Sequence, residues 1–518
     1  MTGRRPSLKI NAISNWTSLI VQVAVGFFLT PFIIRHLGRE GYGVWVLVGS
    51  FIGYYGLLNL GVGSAITRYI SRYSAQNDSK SLNEIANTAL VMFCTTGFVA
   101  IVLSFFIAAP LAGFFKVTPE HSEEFKRIVV VLGIATGLSF PSGVFSAMLT
   151  ARECFVAVNV VNITSTLLRT GLTVVILLAG KGLAGIAYPT LAATAVSLVA
   201  VFFTARSVVP EFRLQFFGVR WTTLRMLIVY GGFTAIISVA DILRFKIDSL
   251  VIGKMVGMTE VGVYAIASLL VQYMLRVVTT GISVLTPRFA ALDGEGKSEE
   301  LKAIFLRSLS ISSCIACGIA MLLVLFGQSL IFLWVGKEFV NAVPVLLILV
   351  VAYIFDLCQS PGIGLMYALN KHRYYAALCL VEAVFNVALS VLLVRHFGIV
   401  GVALGTAIPM FFIKLFIQPV LVSRLVKLRL VVYGKSMVPA FMSFFIIFLF
   451  YGLLLILIPF SSLIINSFLL FFILVTSVVI LYIYFCCLFS SSIRDIINLY
   501  LFSCGSHIKR LLHFSTKS

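Results

Sequence analysis

Charge is what this chain lacks most. Asp, Glu, Lys and Arg make up 11% of its 518 residues, while hydrophobic residues make up 60%. An ordinary soluble domain is about a quarter charged and about half apolar. So few polar groups cannot clothe a water-facing surface, so a soluble multidomain fold is excluded and bilayer must replace water around most of the chain. Histidine is scarce as well, and all six (His36, His121, His372, His396, His507 and His513) fall in predicted loops or the tail. No HExxH zinc motif, Walker A sequence or GxSxG nucleophile turn is present, which removes the metalloprotease, the ATP-driven pump and the serine hydrolase from consideration. Large polar loops, which a membrane glycosyltransferase or ligase needs, are missing too. No catalytic residue, metal ligand or cofactor is expected. Nine cysteines are scattered, and the one CxxC, Cys314 and Cys317, lies inside a predicted span without a second pair. It reads as small buried hydrophobes rather than a metal or redox site.

The net charge of +20 does not point to nucleic acid, because no long basic run or aromatic–basic patch lies outside the apolar runs. Lys and Arg gather instead in the loops that fix membrane orientation, where anionic lipid head groups are their natural partners.

What is abundant is apolar sequence. Crossing the hydrocarbon core takes roughly 20 apolar residues, and such runs fall near 11–34, 44–67, 86–109, 127–150, 157–179 and 183–205. A second set lies near 224–252, 260–287, 303–327, 344–369, 376–395 and 399–422, and two more near 436–459 and 465–489. The first of these is too long for a cleavable signal peptide and reads as the first span. With the N-terminus inside, the inside segments hold 25 Lys and Arg and the outside loops 9. That asymmetry places both termini in the cytoplasm.

The chain repeats itself. Gly38-Arg-Glu-Gly-Tyr-Gly43-Val-Trp45 matches Gly257-Met-Thr-Glu-Val-Gly262-Val-Tyr264, and Ile85 falls on Ile304, at an offset of 219. Thr150–Phe155 falls on Leu369–Tyr374, and Gly182-Leu-Ala-Gly185-Ile-Ala187 on Gly398-Ile-Val-Gly401-Val-Ala403. Four landmarks in one order define a six-helix unit, residues 1–217 and 218–435, followed by an appended pair at 436–489 and a cytoplasmic tail at 490–518. Because six is even, both copies enter from the same side, which makes this a parallel repeat. The fold class expected is an all-α polytopic membrane protein with about fourteen transmembrane helices.

Charges inside spans are costly, about 2.5–3.5 kcal/mol each at the centre unless paired or hydrated. They are Arg169, Asp241, Arg244, Lys246, Asp248, Arg276, Asp356, Glu382 and Lys414. Asp241, Arg244 and Asp248 share one face of the seventh span. They are either a self-neutralising ladder or a site where an aspartate takes a proton or cation while Arg244 meets an anion. Arg276 is mid-span with no acid at helical spacing, and wants Asp241 or an anionic ligand. On the fifth span Asn159, Asn162, Thr166 and Arg169 form a polar stripe, with Glu382 a candidate partner for Arg169. Asp356, Glu382 and Lys414 read as a structural network. Arg276, Arg244, Arg169 and Lys246 are thus the candidate substrate contacts, and Asp241, Asp248, Asp356 and Glu382 the candidate coupling or ion-pair residues. Gly61 and Gly63, and Gly281 before Pro287, weaken the helices at matching places in the two copies, either as flex points for alternating access or as close-packing sites.

Phe32-Ile-Ile-Arg-His-Leu-Gly38-Arg-Glu-Gly-Tyr-Gly43, then Leu57-Leu-Asn-Leu-Gly61 and Thr67-Arg68-Tyr69, resemble the opening signature of the polysaccharide exporters. That family falls in the superfamily of multidrug, oligosaccharidyl-lipid and polysaccharide exporters. Asp248-Ser-Leu-Val-Ile-Gly253 followed by Gly262-Val-Tyr264 resembles the second-lobe counterpart. The resemblance covers about residues 5–430. It implies a V-shaped two-lobe bundle in the bacterial inner membrane, working by alternating access on undecaprenyl-pyrophosphate-linked oligosaccharides. It further implies that cavity arginines, carried by location onto Arg276 and Arg244, meet the pyrophosphate. Polysaccharide polymerase and chain-length proteins are the partners it suggests. One departure matters: the first span, 11–34, contains no ionised residue. Many multidrug members rely on an acid there and the lipid II flippases place charges there, so both options lose ground. A cation-coupled exporter and a non-transporting scaffold of a polysaccharide assembly complex remain the alternatives. For the appended pair, a groove for the polyprenyl tail and a lipid-facing or oligomer contact stand side by side.

Overall fold

A computed structural model describes residues 8–59, 61–215, 220–283, 285–457, 468–490 and 493–494. Every regular element among the described residues is helical. In chain order they are α1 (Leu8–Gly53), α2 (Val62–Ala75), α3 (Ser79–Phe114), α4 (Pro119–Ala151), α5 (Phe155–Leu178) and α6 (Gly182–Gly185). Next come α7 (Ala187–Val208), α8 (Trp221–Met255), α9 (Met258–Ser283), α10 (Thr286–Gly294), α11 (Ser298–Val335) and α12 (Ala342–Cys358). The last are α13 (Ser360–Ala368), α14 (His372–Phe412), α15 (Gln418–Leu425), α16 (Leu430–Lys435), α17 (Val438–Leu457) and α18 (Phe468–Phe489).

Ten described helical stretches are long and apolar enough to cross a membrane. Two of them, Ile13–Asn59 and His372–Leu425, are 47 and 54 residues long, enough for two crossings each. With the 35-residue α8 and the uncharged 20-residue α17, the count reaches the fourteen that the apolar runs predict. Large apolar side chains are exposed along these helices, Phe28 at 74% and Phe106 at 75%, as lipid-facing surface requires. The chain is a multi-pass membrane protein.

Glycines mark the breaks. Gly38 (φ 70°) interrupts α1 and Gly398 (φ 55°) interrupts α14, in a backbone region that costs an L-residue but not glycine. Both stand in the repeat landmarks. At Gly398 the chain folds back on itself, because Asn386 Nδ2 donates to Thr406 Oγ1 at 3.0 Å and a Cβ on Gly405 would run into Ser390. The span expected at 44–67 is broken at Gly61, which caps α2 at φ 68°. The span expected at 260–287 ends as α9 with α10 beginning two residues after Val284. The flex points read from sequence are therefore helix ends.

The chain divides into two compact units: Met1–Ala267 with Ala376–Thr406, and Ser268–Tyr375 with Ala407–Ser518. In the first unit the repeat explains one close contact. A Cβ on Gly43 would collide with the Met258 carbonyl, and one on Gly262 with the Arg39 carbonyl. These are the same glycine in the two landmark copies, each giving the other's backbone room to approach.

In the second unit α18 lies antiparallel along α11. Ser310 Oγ is 3.4 Å from Ser490 Oγ, Cys314 Sγ is 3.3 Å from Cys486 Sγ, and Tyr482 Oη donates to the Cys314 carbonyl at 2.9 Å. Farther along, Phe326 meets Phe471 with ring centroids 5.9 Å apart. One face of the appended pair is therefore packed against protein in a fixed register. A chain keeping only Cys314 and Cys486 should crosslink internally under copper–phenanthroline, read as a joined product after cleavage at a protease site placed between α17 and α18. Two separate fragments would contradict the register.

Candidate functional site

The seventh span is α8, and its charges meet partners from α9 and α14 inside the first unit. Arg244 Nε lies 2.8 Å from Glu382 Oε1, with the two side chains 4% and 1% exposed. A pair so desolvated holds only while both members are present, since either charge alone would be stranded in low dielectric. One turn on, Asp248 Oδ2 accepts from Tyr264 Oη at 2.5 Å and from Thr406 Oγ1 at 3.0 Å. Thr406 Oγ1 in turn accepts from Asn386 Nδ2 at 3.0 Å, and Ser390 Oγ donates to Asn386 Oδ1 at 3.2 Å. The second carboxylate oxygen, Asp248 Oδ1, is buried with no hydrogen-bond partner among the described residues.

The sequence reading names Glu382 but misses Asn386 and Ser390, which follow it at four-residue steps on one face of α14. That stripe has the same form as the one on α5 and was available as a signal. Tyr264 and Thr406 carry no such signal, because their role is set by which helix they face. The set of oxygens here, a carboxylate, an amide, hydroxyls and the Val402 carbonyl that Thr406 and Ser390 also approach, suits a proton or a hard cation and not a soft transition metal. Among the described residues no group of three His, Cys, Asp or Glu forms a metal cluster. Asp241 and Lys246 are half-buried on the same helix, and the Lys246 chain lies against Gly53.

One expected pairing is corrected. Glu382 pairs with Arg244 and not with Arg169, and Asp356 pairs with Lys414. Asp356 and Lys414 meet inside the second unit. There Lys414 is 0% exposed, with Nζ 2.9 Å from Asp356 Oδ1 and 3.1 Å from Gln418 Oε1. Lys414 lies in a π-helical turn, Ile413–Ile417, the kind of insertion that frees a backbone carbonyl. Gln359 Nε2 takes up the Lys414 carbonyl, and Tyr433 Oη donates to Gln359 Oε1 at 3.2 Å. For Asp356 and Lys414, the network reading fits this geometry.

The polar stripe of α5 divides. Asn159 Nδ2 reaches Ser14 Oγ and Asn15 Oδ1 of α1 at 3.1 and 2.6 Å, an interhelical bond, and Thr166 bonds back to the Asn162 carbonyl. Arg169 is exposed and makes no ion pair among the described residues. Arg276 on α9 is likewise exposed and makes no ion pair among the described residues.

Known proteins share this architecture. A family model described as polysaccharide biosynthesis protein matches residues 32–344. The uncharacterized membrane protein EpsK of Bacillus subtilis is 22% identical over 440 residues, covering 83% of this chain and 86% of that protein. A putative O-antigen transporter of Shigella flexneri is 20% identical over 411 residues, covering 79% of this chain and 96% of its own. Among solved structures, the lipid II flippase MurJ in an inward closed conformation superposes with a TM-score of 0.71 at 14% identity, covering 94% of this chain and 99% of that one.

Proposed function

The chain belongs to the polysaccharide biosynthesis protein family, and we propose that it is a flippase for lipid-linked sugars. Its cargo is an undecaprenyl-pyrophosphate-linked oligosaccharide repeat unit, for O-antigen, capsule or exopolysaccharide. It carries that unit from the cytoplasmic to the periplasmic leaflet of the inner membrane by alternating access, without covalent chemistry of its own. In this reading residues 1–217 and 218–435 are the two lobes of a parallel repeat, supported by the facing Gly43 and Gly262. Both termini are cytoplasmic, supported by the 25 to 9 excess of basic residues on that side.

One observation carries the reading. The buried charges Arg244, Glu382, Asp356 and Lys414 are paired, whereas Arg169 and Arg276 are exposed inside apolar spans without a carboxylate. A guanidinium at that depth calls for water and an anion, and its planar fork matches a diphosphate bidentately. We assign the pyrophosphate contact to Arg276, and name Arg169 and Lys246 as further candidate anion contacts, each taken by itself. Arg244, held by Glu382, takes part only when cargo competes for it. The Asp248 centre is the coupling site, where binding and release of a proton or cation at the open Oδ1 changes the balance between conformations. An apolar cavity of about 580 Å³ lined by Phe355, Leu415, Phe441, Met442, Phe445 and Ile446 gives the appended α17 a place for part of the polyprenyl chain. A polymerase and chain-length proteins are the partners that would receive the product.

The test is genetic. Arg276→Ala should abolish surface polymer at an unchanged protein level, while Arg276→Lys, which keeps the charge but not the fork, should retain a fraction. Full polymer from both variants would end the pyrophosphate role. Deletion that leaves polymer intact and alters drug tolerance would favour the exporter instead.

A further inference from the structure

Away from the charged centre, α2 and α8 meet along a seam of rings and guanidinium groups. The Arg68 guanidinium carbon lies 4.7 Å above the Tyr230 ring centroid. Tyr69 abuts Tyr230 at 5.9 Å, and Tyr73 stacks on Tyr69 at 6.4 Å with an interplanar angle of 21°. The three rings are half-buried and form a continuous strip, Tyr73–Tyr69–Tyr230. Arg68 and its helical neighbour Arg72 are exposed beside it, with no ion pair among the described residues. Helical spacing explains the arrangement on α2, since Arg68 and Arg72, and Tyr69 and Tyr73, are both i, i+4 neighbours. The sequence shows no aromatic–basic patch because the third ring, Tyr230, comes from α8, far along the chain.

Position sharpens the point. Tyr230 precedes Arg244 on α8 by fourteen residues, roughly 21 Å along the axis at 1.5 Å per residue. Against a hydrocarbon core of about 30 Å, the seam lies toward one membrane face and the Arg244–Asp248 centre toward the middle. The loop-charge asymmetry assigns that face to the cytoplasm, where the cargo is made.

We propose that this seam is the receiving site for the cargo's headgroup: sugar rings stack on Tyr69, Tyr73 and Tyr230 while Arg68 and Arg72 hold the diphosphate. This rests on the flippase reading given above. The chemistry divides the labour. Phenol faces offer flat apolar area to the C–H face of a pyranose, and they do so at low entropic cost because the strip is already packed. The Arg68 guanidinium lies over Tyr230 and is exposed, and its five N–H donors are enough to engage Tyr230 and phosphate oxygens together. An ordinary anionic phospholipid offers the phosphate but no sugar, so the rings decide between the two sources.

The experiment uses the full chain in phosphatidylcholine nanodiscs with three probes: undecaprenyl diphosphate carrying one N-acetylglucosamine, bare undecaprenyl diphosphate, and phosphatidylglycerol. The protein should bind the sugar-bearing diphosphate about tenfold more tightly than the bare one, a difference of about 1.4 kcal/mol. Tyr69→Leu and Tyr230→Leu should bring that preference to within about twofold, with affinity for the bare diphosphate held, while Tyr69→Phe keeps it. Arg68→Gln with Arg72→Gln should weaken both diphosphates by about tenfold or more. A preference unchanged in both Leu variants, or lost in Tyr69→Phe as well, overturns the seam. Tighter binding of phosphatidylglycerol than of either diphosphate also overturns it, making this a phospholipid site. Failure of the unaltered protein to bind either diphosphate overturns the flippase reading itself.

Discussion

Lys414→Ala is expected to cost about 3–5 kcal/mol of stability, the range for stranding one member of a buried ion pair. Lys414 is fully buried and its ammonium is 2.9 Å from Asp356, so truncation leaves a carboxylate in low dielectric with a void beside it. Gln418 Oε1 accepts from the lost ammonium at 3.1 Å, and Gln359 is committed to the Lys414 carbonyl and to Tyr433. Thermal unfolding in detergent should show the fall directly. The double change Lys414→Met with Asp356→Leu should recover most of it, because replacing a whole buried pair with apolar groups of similar size is close to neutral. If the double variant is as unstable as the single one, the damage lies in packing of the π-helical turn and not in the stranded charge.

Asp248→Asn is expected to remove gradient-driven transport while leaving the fold in place. The amide still accepts from Tyr264 and Thr406, whose donors lie 2.5 and 3.0 Å from Asp248 Oδ2, so local geometry holds. What disappears is the negative charge that a proton or cation would bind. Loss of one charge-assisted partner is worth about 1.5–3 kcal/mol, so the rate under an imposed gradient should fall by about tenfold or more, to the rate without a gradient. Asp356→Asn, in the other unit, should act on stability far more than on gradient response. An Asp248→Asn protein that still answers the gradient as the unaltered chain does would remove Asp248 from coupling.

Much of the fold was legible because the bilayer imposes it. Apolar runs long enough to cross lipid must be helices, and the glycines at 38 and 398 announced where two of them turn. The repeat was legible for a related reason, since Gly43 and Gly262 are kept small by each other's backbone. Partner choice was not legible. Glu382 was assigned to Arg169 or to Asp356 and Lys414, and it went to Arg244, because the rotation of α14 against α8 depends on packing over residues far apart in sequence. Asn386 and Ser390 could have been found from their spacing after Glu382. Tyr230 beside Tyr69 could not, because neither helix alone carries the pattern. The appended pair was the least informative stretch: uniform hydrophobicity says that a helix crosses lipid but not which face it packs. The contacts at Ser310, Cys314 and Gly318, where Tyr482 fits against the glycine, and the Phe326–Phe471 ring pair reveal the seat of α18.

The central claim is movement of a lipid-linked sugar across a bilayer, and reconstitution measures it directly. Full-length protein is placed in liposomes whose outer leaflet is loaded with undecaprenyl diphosphate carrying a fluorescent oligosaccharide, and a membrane-impermeant quencher is added outside at intervals. The predicted result is a growing fraction of label protected from quencher with the unaltered protein, and no growth beyond protein-free liposomes with Arg276→Ala. Protection that never exceeds the protein-free control in the unaltered protein, with the chain shown to be folded and inserted, would contradict the account.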